Sequence, residues 1–265
     1  MRTRFAGWSE EEVAESLVKL AAWRDRVLDG AGLAPGETVA DIGAGTGLLT
    51  LGASERVGAD GDVIAVDISV DALEELRGNA AAANISYLIG SADVLPLPDE
   101  SVDAVVTRSV LIYVADKAEA AREFLRVLRP GGRVSLFEPI NSRNLRLVDA
   151  VDFSSLGELG DRLRAWNESA YANVDDPMLN FDEDDLAAFF QTAGFADVGL
   201  ELGASEEEIA GERYLNQVGA PGRPTLLERW REAFAPDEVD RLATFLMKRT
   251  VPSRVQHAFL TAGKP

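Results

Sequence analysis

Apolar residues in this chain fall into short runs and helical stripes that alternate almost without interruption from residue 38 to residue 140. Thr38–Ile42, Asp62–Asp67, Ile85–Ile89, Val102–Thr107 and Arg133–Phe137 are brief runs rich in Val, Ile and Ala. Near-continuous apolar runs of that length are the mark of strands buried on both faces. Helical spacing predicts a helix from about Leu48 to Val57, and Ser69 caps another that ends near Ala83. Asp116 with Glu119 starts a third, which runs to Leu128 before Pro130-Gly131-Gly132 stops it. Ser9 with Glu12 opens an earlier helix, where Val13, Leu17, Leu20, Val27 and Leu28 recur until Gly30 and Gly32. This alternation predicts an α/β fold, a mostly parallel Rossmann-like sheet with helices on both faces.

After Pro139 the rhythm changes. Residues 141–181 read as helix and loop, with Leu156, Leu159, Leu163 and Trp166 on one face. A helix over Leu186–Ala193, a turn at Gly194 and a strand over Ala196–Leu202 resume the core. Residues 205–249 read as helical again, with Leu226, Leu227, Trp230 and Phe234 on a stripe, and Arg254–Ala262 is a final strand at the sheet edge. The expected organisation is an N-terminal helical segment (1–34), a core (35–140), a cap insertion (141–181), the core continued (182–204), a second helical insertion (205–252) and the edge strand (253–265). The sheet then has seven strands. Insertions this long are often lids or binding elements, and otherwise pack as plain cover for the sheet.

The chain has 265 residues, 46% of them hydrophobic and 27% charged, as in an ordinary globular protein. Its net charge of −19 argues against nucleic acid and anionic membrane surfaces as partners. With no cysteine and a single histidine, His257, thiol nucleophiles, disulfides and Cys- or His-based metal sites are excluded. No metal is expected. No apolar run is long enough to span a membrane, and the first residues lack a signal-peptide pattern, so a cytoplasmic protein is expected.

Ligands of open parallel sheets bind beyond the carboxyl ends of the strands. The first strand ends in Asp41 and Gly43-Ala-Gly-Thr-Gly47, whose glycines let a ligand approach the main chain. The second ends in Asp67, 24 residues beyond Gly43, where a carboxylate can accept two ribose hydroxyls. The third is followed by Ser91-Ala92-Asp93, a further acceptor suited to an exocyclic amine. Together they describe an adenosine site, with ribose on Asp67, adenine near Ile68 and Asp93, and the polar tail at the glycines.

Val39-Ala-Asp-Ile-Gly-Ala-Gly-Thr-Gly47, Val63-Ile-Ala-Val-Asp67, Ala92-Asp93-Val-Leu-Pro-Leu-Pro98 and Val127-Leu-Arg-Pro-Gly-Gly-Arg133 resemble the successive motifs of class I S-adenosylmethionine-dependent methyltransferases. The nearer resemblance is to the type 11 subgroup, which includes menaquinone/ubiquinone-type C-methyltransferases, sterol methyltransferases and many natural-product enzymes. The likeness covers residues 35–140 and, less closely, 182–202. It implies S-adenosylmethionine as cofactor and methyl transfer to a small molecule. It places the methionine moiety at Asp41, Gly43, Ala44, Gly45 and Gly47, and the ribose at Asp67. Adenine falls at Ile68, Ala92, Asp93 and Val94, and Arg108 and Ser109 sit where sulfonium and acceptor meet. Similar arsenite methyltransferases depend on cysteines, which excludes that activity here.

Methyl transfer is an in-line displacement that needs alignment more than a dedicated base. The strand-end candidates for a base are Glu138 and Tyr113. Glu138 reads equally as a salt bridge or helix cap, and Tyr113 equally as pocket wall. His257 lies mid-strand on an apolar face, the usual setting of a structural histidine. Tyr113-x-x-x-Lys117 has the spacing of the short-chain dehydrogenase pair, but the glycine pattern of that family is missing. Trp8 and Trp23 stand where leading helices cover the cofactor in related enzymes. Trp8, Tyr113, Trp166, Tyr171 and Tyr214 are the aromatic candidates for the acceptor pocket, which predicts an apolar or aromatic substrate if the insertions form a lid. Acid runs at Asp182–Asp185 and Glu206–Glu208 read as solvated helix starts. Two other readings stay open: a nicotinamide oxidoreductase, and a non-catalytic module of the same fold. The chain is expected to be a monomer or homodimer. Four Lys against 22 Arg suggests a GC-rich bacterial source and secondary metabolism.

Overall fold

The computed structural model describes residues 10–80, 82–173, 175–218 and 222–265, so Trp8 and Ser9 lie outside the described residues. The elements in chain order are α1 (Glu10–Gly30), β1 (Thr38–Ile42), α2 (Leu48–Val57), β2 (Asp62–Asp67), α3 (Val70–Asn79), β3 (Ile85–Ile89) and β4 (Val102–Arg108). Next come α4 (Lys117–Val127), β5 (Leu128–Pro139), α5 (Leu147–Ala150), α6 (Glu158–Tyr171), α7 (Glu183–Ala193), β6 (Ala196–Ala210), α8 (Gly211–Asn216), α9 (Leu226–Ala233), α10 (Pro236–Met247) and β7 (Thr250–Gly263).

One seven-stranded sheet has the order β3-β2-β1-β4-β5-β7-β6. Strands β1 to β5 pair in parallel, and β7 runs antiparallel to both β5 and β6. The chain order reverses between β1 and β4, which opens a crevice at their carboxyl ends. Alternate strand residues serve opposite faces. Ala40, Ile42, Val105, Leu136 and Leu260 join the core under α4 and α7. Val39, Val63, Ala104, Val106 and Phe259 join the core under α1 and α2.

The helix starts obey their local chemistry. Ser69 accepts from Ala72 N–H at the start of α3, and Asp116 accepts from Glu119 N–H at the start of α4. Asp182 and Asp185 form a reciprocal capping box for α7, and Gly194 ends that helix at φ 107°. The helix after Ser69 stops at Asn79, short of Ala83.

Two expectations are corrected at the far end of the sheet. The final strand is not the edge: β7 lies between β5 and β6, and β6 is the outer strand. Ala258 and Leu260, neighbours on one face, are fully buried because β7 is paired on both sides. Residues 205–210 are strand, not helix. Glu206, Glu207 and Glu208 sit opposite Arg254, Ser253 and Pro252, so pairing overrides the acid-rich helix-start pattern.

Strand β5 ends its pairing at Pro139–His257, whereas β6 and β7 continue together to Ala210–Thr250. The hairpin therefore projects as a two-stranded arm past the carboxyl ends of the parallel strands. Helices α8, α9 and α10 form the connection at its tip, and with α5 and α6 they build a separate apolar core around Trp230, Leu163, Leu242 and Leu246. Among the described residues no helix is long and apolar enough to cross a membrane.

Candidate active site

At the end of β1 the Asp41 carboxyl is buried, and it accepts from Thr50 Oγ1 of α2 at 2.5 Å. Burial pushes its pKa up to about 7 against the pull of the Thr50 hydroxyl and N–H, and the nearby Asp67 charge adds to the rise. Gly43, Gly45 and Gly47 hold φ values of 70°, 53° and 97°. Gly43 and Ala44 N–H both donate to Val66 C=O, which ties the loop to β2. A Cβ on Gly43 would meet Val110 Cγ2 at 2.1 Å, whereas one on Gly45 would meet nothing within 4 Å. Gly45 thus presents bare main chain at the crevice.

Asp67 joins this loop to the start of α3. Its Oδ2 accepts from Gly45 N–H at 2.7 Å and its Oδ1 from Ser69 N–H at 2.8 Å. Each oxygen keeps a second lone pair, so an oriented carboxylate remains able to accept a pair of hydroxyls. Ile68 and Val94, beyond the ends of β2 and β3, are 74% and 72% exposed. Between them in sequence Ala92 is buried, and Asp93 is held by the Ser91 hydroxyl. Exposed aliphatic side chains beside a fixed carboxylate suit a purine bearing an amine. This donor set, a carboxylate with free lone pairs beside exposed aliphatic side chains and bare main chain, fits an adenosine-bearing cofactor such as S-adenosylmethionine.

The second wall lies at the ends of β4 and β5. Ser109 turns the chain with φ 56°, and its N–H donates to Phe137 C=O at 2.8 Å. Glu138, fully buried, holds the turn over residues 110–112. Its Oε1 accepts from Val110 N–H at 2.8 Å and Leu111 N–H at 2.9 Å, and its Oε2 from Ile112 N–H at 3.3 Å. Burial lifts its pKa to about 7 despite those donors and the Arg108 charge. The turn carries Tyr113, which is 46% exposed. Arg108 places its guanidinium 5.4 Å from the rings of Trp23 and Phe137.

The structure brings Asp41, Gly43, Ala44, Gly45, Gly47, Asp67, Ile68, Ala92, Asp93, Val94, Arg108, Ser109, Tyr113 and Glu138 to one end of the sheet. The cap aromatics gather elsewhere. Trp166 and Tyr214 pack on the cap core, where Arg229 lies 4.9 Å from the Trp166 ring. Burial raises the pKa of both Tyr171 and Tyr214, the latter to about 12. Trp23 stacks on Phe137 with centroids 4.7 Å apart, and His257 lies 5.2 Å from Phe137 in the same cluster. Sequence reasoning misses Thr50 and Val110. Thr50 has a signal that could have found it, as a polar residue on the buried face of α2, between Leu49 and Ala53. Among the described residues no cluster of acids and histidine could hold a metal.

Residues 13–205 match the model of the ubiE/COQ5 methyltransferase family. The chain is 33% identical over 180 residues to the ubiquinone/menaquinone biosynthesis C-methyltransferase of Vibrio parahaemolyticus, covering 65% of this chain and 70% of that one. Among solved structures it resembles the YcgJ protein of Bacillus subtilis, with TM-score 0.59 and 18% identity over 92% of this chain and 98% of that one. It also resembles phosphoethanolamine N-methyltransferase 2 of Haemonchus contortus in complex with S-adenosyl-L-methionine, with TM-score 0.52 and 18% identity over 91% of this chain and 52% of that one. The structural likenesses establish the fold, and the family match the chemistry.

Proposed function

The chain belongs to the ubiE/COQ5 methyltransferase family, and from that membership we propose that it methylates a carbon of a small apolar or aromatic acceptor. Its cofactor is S-adenosylmethionine, which supplies an electrophilic methyl carbon on a positively charged sulfur. The observation that carries the choice of acceptor is the match to C-methyltransferases of quinone biosynthesis over 65% of the chain. An electron-rich ring such as a quinol is the acceptor class these relatives suggest.

The protein's part is alignment. Asp67 and the Gly43–Gly47 loop hold the cofactor's polar groups against a frame fixed by main-chain hydrogen bonds. The turn at 109–113 faces the sulfur end, and positioning the nucleophile at about 3–3.5 Å supplies most of the acceleration. Both Glu138 oxygens are engaged by backbone N–H groups, so we assign Glu138 to holding this turn rather than to taking a proton. Tyr113, exposed at the end of the turn, is the side chain we assign to the acceptor wall.

The test is incubation with methyl-tritiated S-adenosylmethionine and separate pools of quinols, simple phenols, amines and arsenite. Label in the quinol or phenol extract, with carbon methylation shown by NMR, is the expected result. Label confined to amines, or on oxygen, would overturn the acceptor assignment.

A further inference from the structure

Lys117 opens α4 at the same end of the sheet, yet its side chain points inward and is only 3% exposed. Its Nζ donates to Val114 C=O at 3.0 Å, to Pro177 C=O at 2.8 Å and to Asn180 Oδ1 at 2.8 Å. An ammonium has three N–H groups, and all three are used. The Phe181 ring lies 4.7 Å away.

The acceptors come from two stretches of chain. Val114 lies just past the turn that Glu138 holds. Pro177 and Asn180 belong to the segment that returns from α6 to α7. Burying an ammonium is costly unless it is fully hydrogen-bonded, and an apolar residue would fill the same space more cheaply. What the lysine adds is direction: three bonds from a rigid helix start to two separate segments. Among the described residues, the other polar anchors of the return segment include Ser142 Oγ donating to Phe181 C=O at 2.7 Å, Arg223 donating to Asp176 at 2.8 Å and Arg143 donating to Asp182 at 3.1 Å.

We infer that Lys117 is a positioning residue for the methyl transfer, fastening the 177–181 segment to the turn after β4 and so fixing the acceptor chamber without touching acceptor or cofactor. The assignment of that chamber rests on the function proposed above; the fastening itself does not. Two carboxyl groups face the ammonium, Glu138 from β5 and Asp176 from the return segment, and both favour its charge. Burial outweighs them and pushes Lys117 down to about 8.

The experiment is hydrogen exchange by mass spectrometry on the full chain with S-adenosylhomocysteine bound, comparing wild type with Lys117→Met at pH 7. The expected result is exchange about tenfold faster at residues 178–182 in the variant at pH 7, while β1 and β4 keep their protection. S-adenosylhomocysteine affinity is unchanged. With the acceptor identified by the screen above, kcat/KM for acceptor falls in the variant while KM for S-adenosylmethionine holds. Unchanged exchange at 178–182, or faster exchange spread over the whole sheet, would overturn the inference whatever the acceptor proves to be. If Lys117→Met does not fold, Asn180→Ala removes one acceptor from an exposed position, and exchange identical to wild type there counts equally against it.

Discussion

Val110 stands directly over Gly43, so close that a single added methyl group on Gly43 would fall 2.1 Å from Val110 Cγ2. The relationship joins the two walls of the site, since Gly43 comes after β1 and Val110 belongs to the turn held by Glu138. Gly43→Ala meets both this contact and a φ of 70°. It should weaken S-adenosylhomocysteine binding by roughly tenfold or more, read by calorimetric titration. Adding Val110→Ala should recover part of the loss by removing the steric component, and no recovery would show the contact to be unimportant.

Asp67→Ala removes the acceptor for Gly45 and Ser69 N–H as well as the proposed seat of the ribose. S-adenosylmethionine affinity should fall by more than about 1 kcal/mol. The same titration checks it, and an unchanged affinity would mean that the ribose lies elsewhere.

Glu138 gives a pH signature. Its folded pKa, about 7, lies above the ordinary carboxylate value of 4.5. Between those values the folded state keeps a proton that the unfolded state has released, so this group's contribution to stability falls as pH rises through that window. Glu138→Gln removes the titration. The wild-type-minus-variant difference in unfolding free energy should decline from pH 5 to pH 7, by at most about 1.4 kcal/mol per unit, and then level off. Asp41, also near 7, persists in both proteins and cancels in the difference. Denaturant melts at four pH values test this; a flat difference would refute the buried-acid account.

His257→Asn should lower stability by about 1–3 kcal/mol while leaving S-adenosylhomocysteine affinity intact. The imidazole fills an aromatic cluster with Trp23, Phe137 and Phe259, and a Cβ on Gly203 would come within 2.4 Å of its Nε2. A thermal melt paired with a titration separates the two readouts, and a selective loss of turnover at normal Tm would give the histidine a part in the chemistry.

Local chemistry makes much of the core legible. Ser69, Asp116 and Asp182 announce helix starts because a short polar side chain satisfies N–H groups only a few residues away. The buried strands announce themselves because both faces are covered. Glu206–Glu208 mislead because three acids at a helix start and three acids on a paired arm look alike until Arg254 and its neighbours are placed opposite them. The position of β7 is equally hidden, since strand order is a property of the whole sheet. Lys117 reads in sequence only as one half of a borrowed spacing, because its partners Pro177 and Asn180 lie 60 residues and more along the chain.

The arm of β6 and β7 beyond the sheet has a further meaning. Ala210 and Thr250 face each other at its tip, so the chain leaves and rejoins the ribbon at adjacent points. Everything from Gly211 to Arg249 is in that sense a cassette, removable at one pair of neighbouring residues without cutting a sheet ladder. Grafting a different helical cassette at that junction would exchange α8 to α10 while leaving the pairing of all seven strands in place, which makes the junction a natural place to re-engineer the cap.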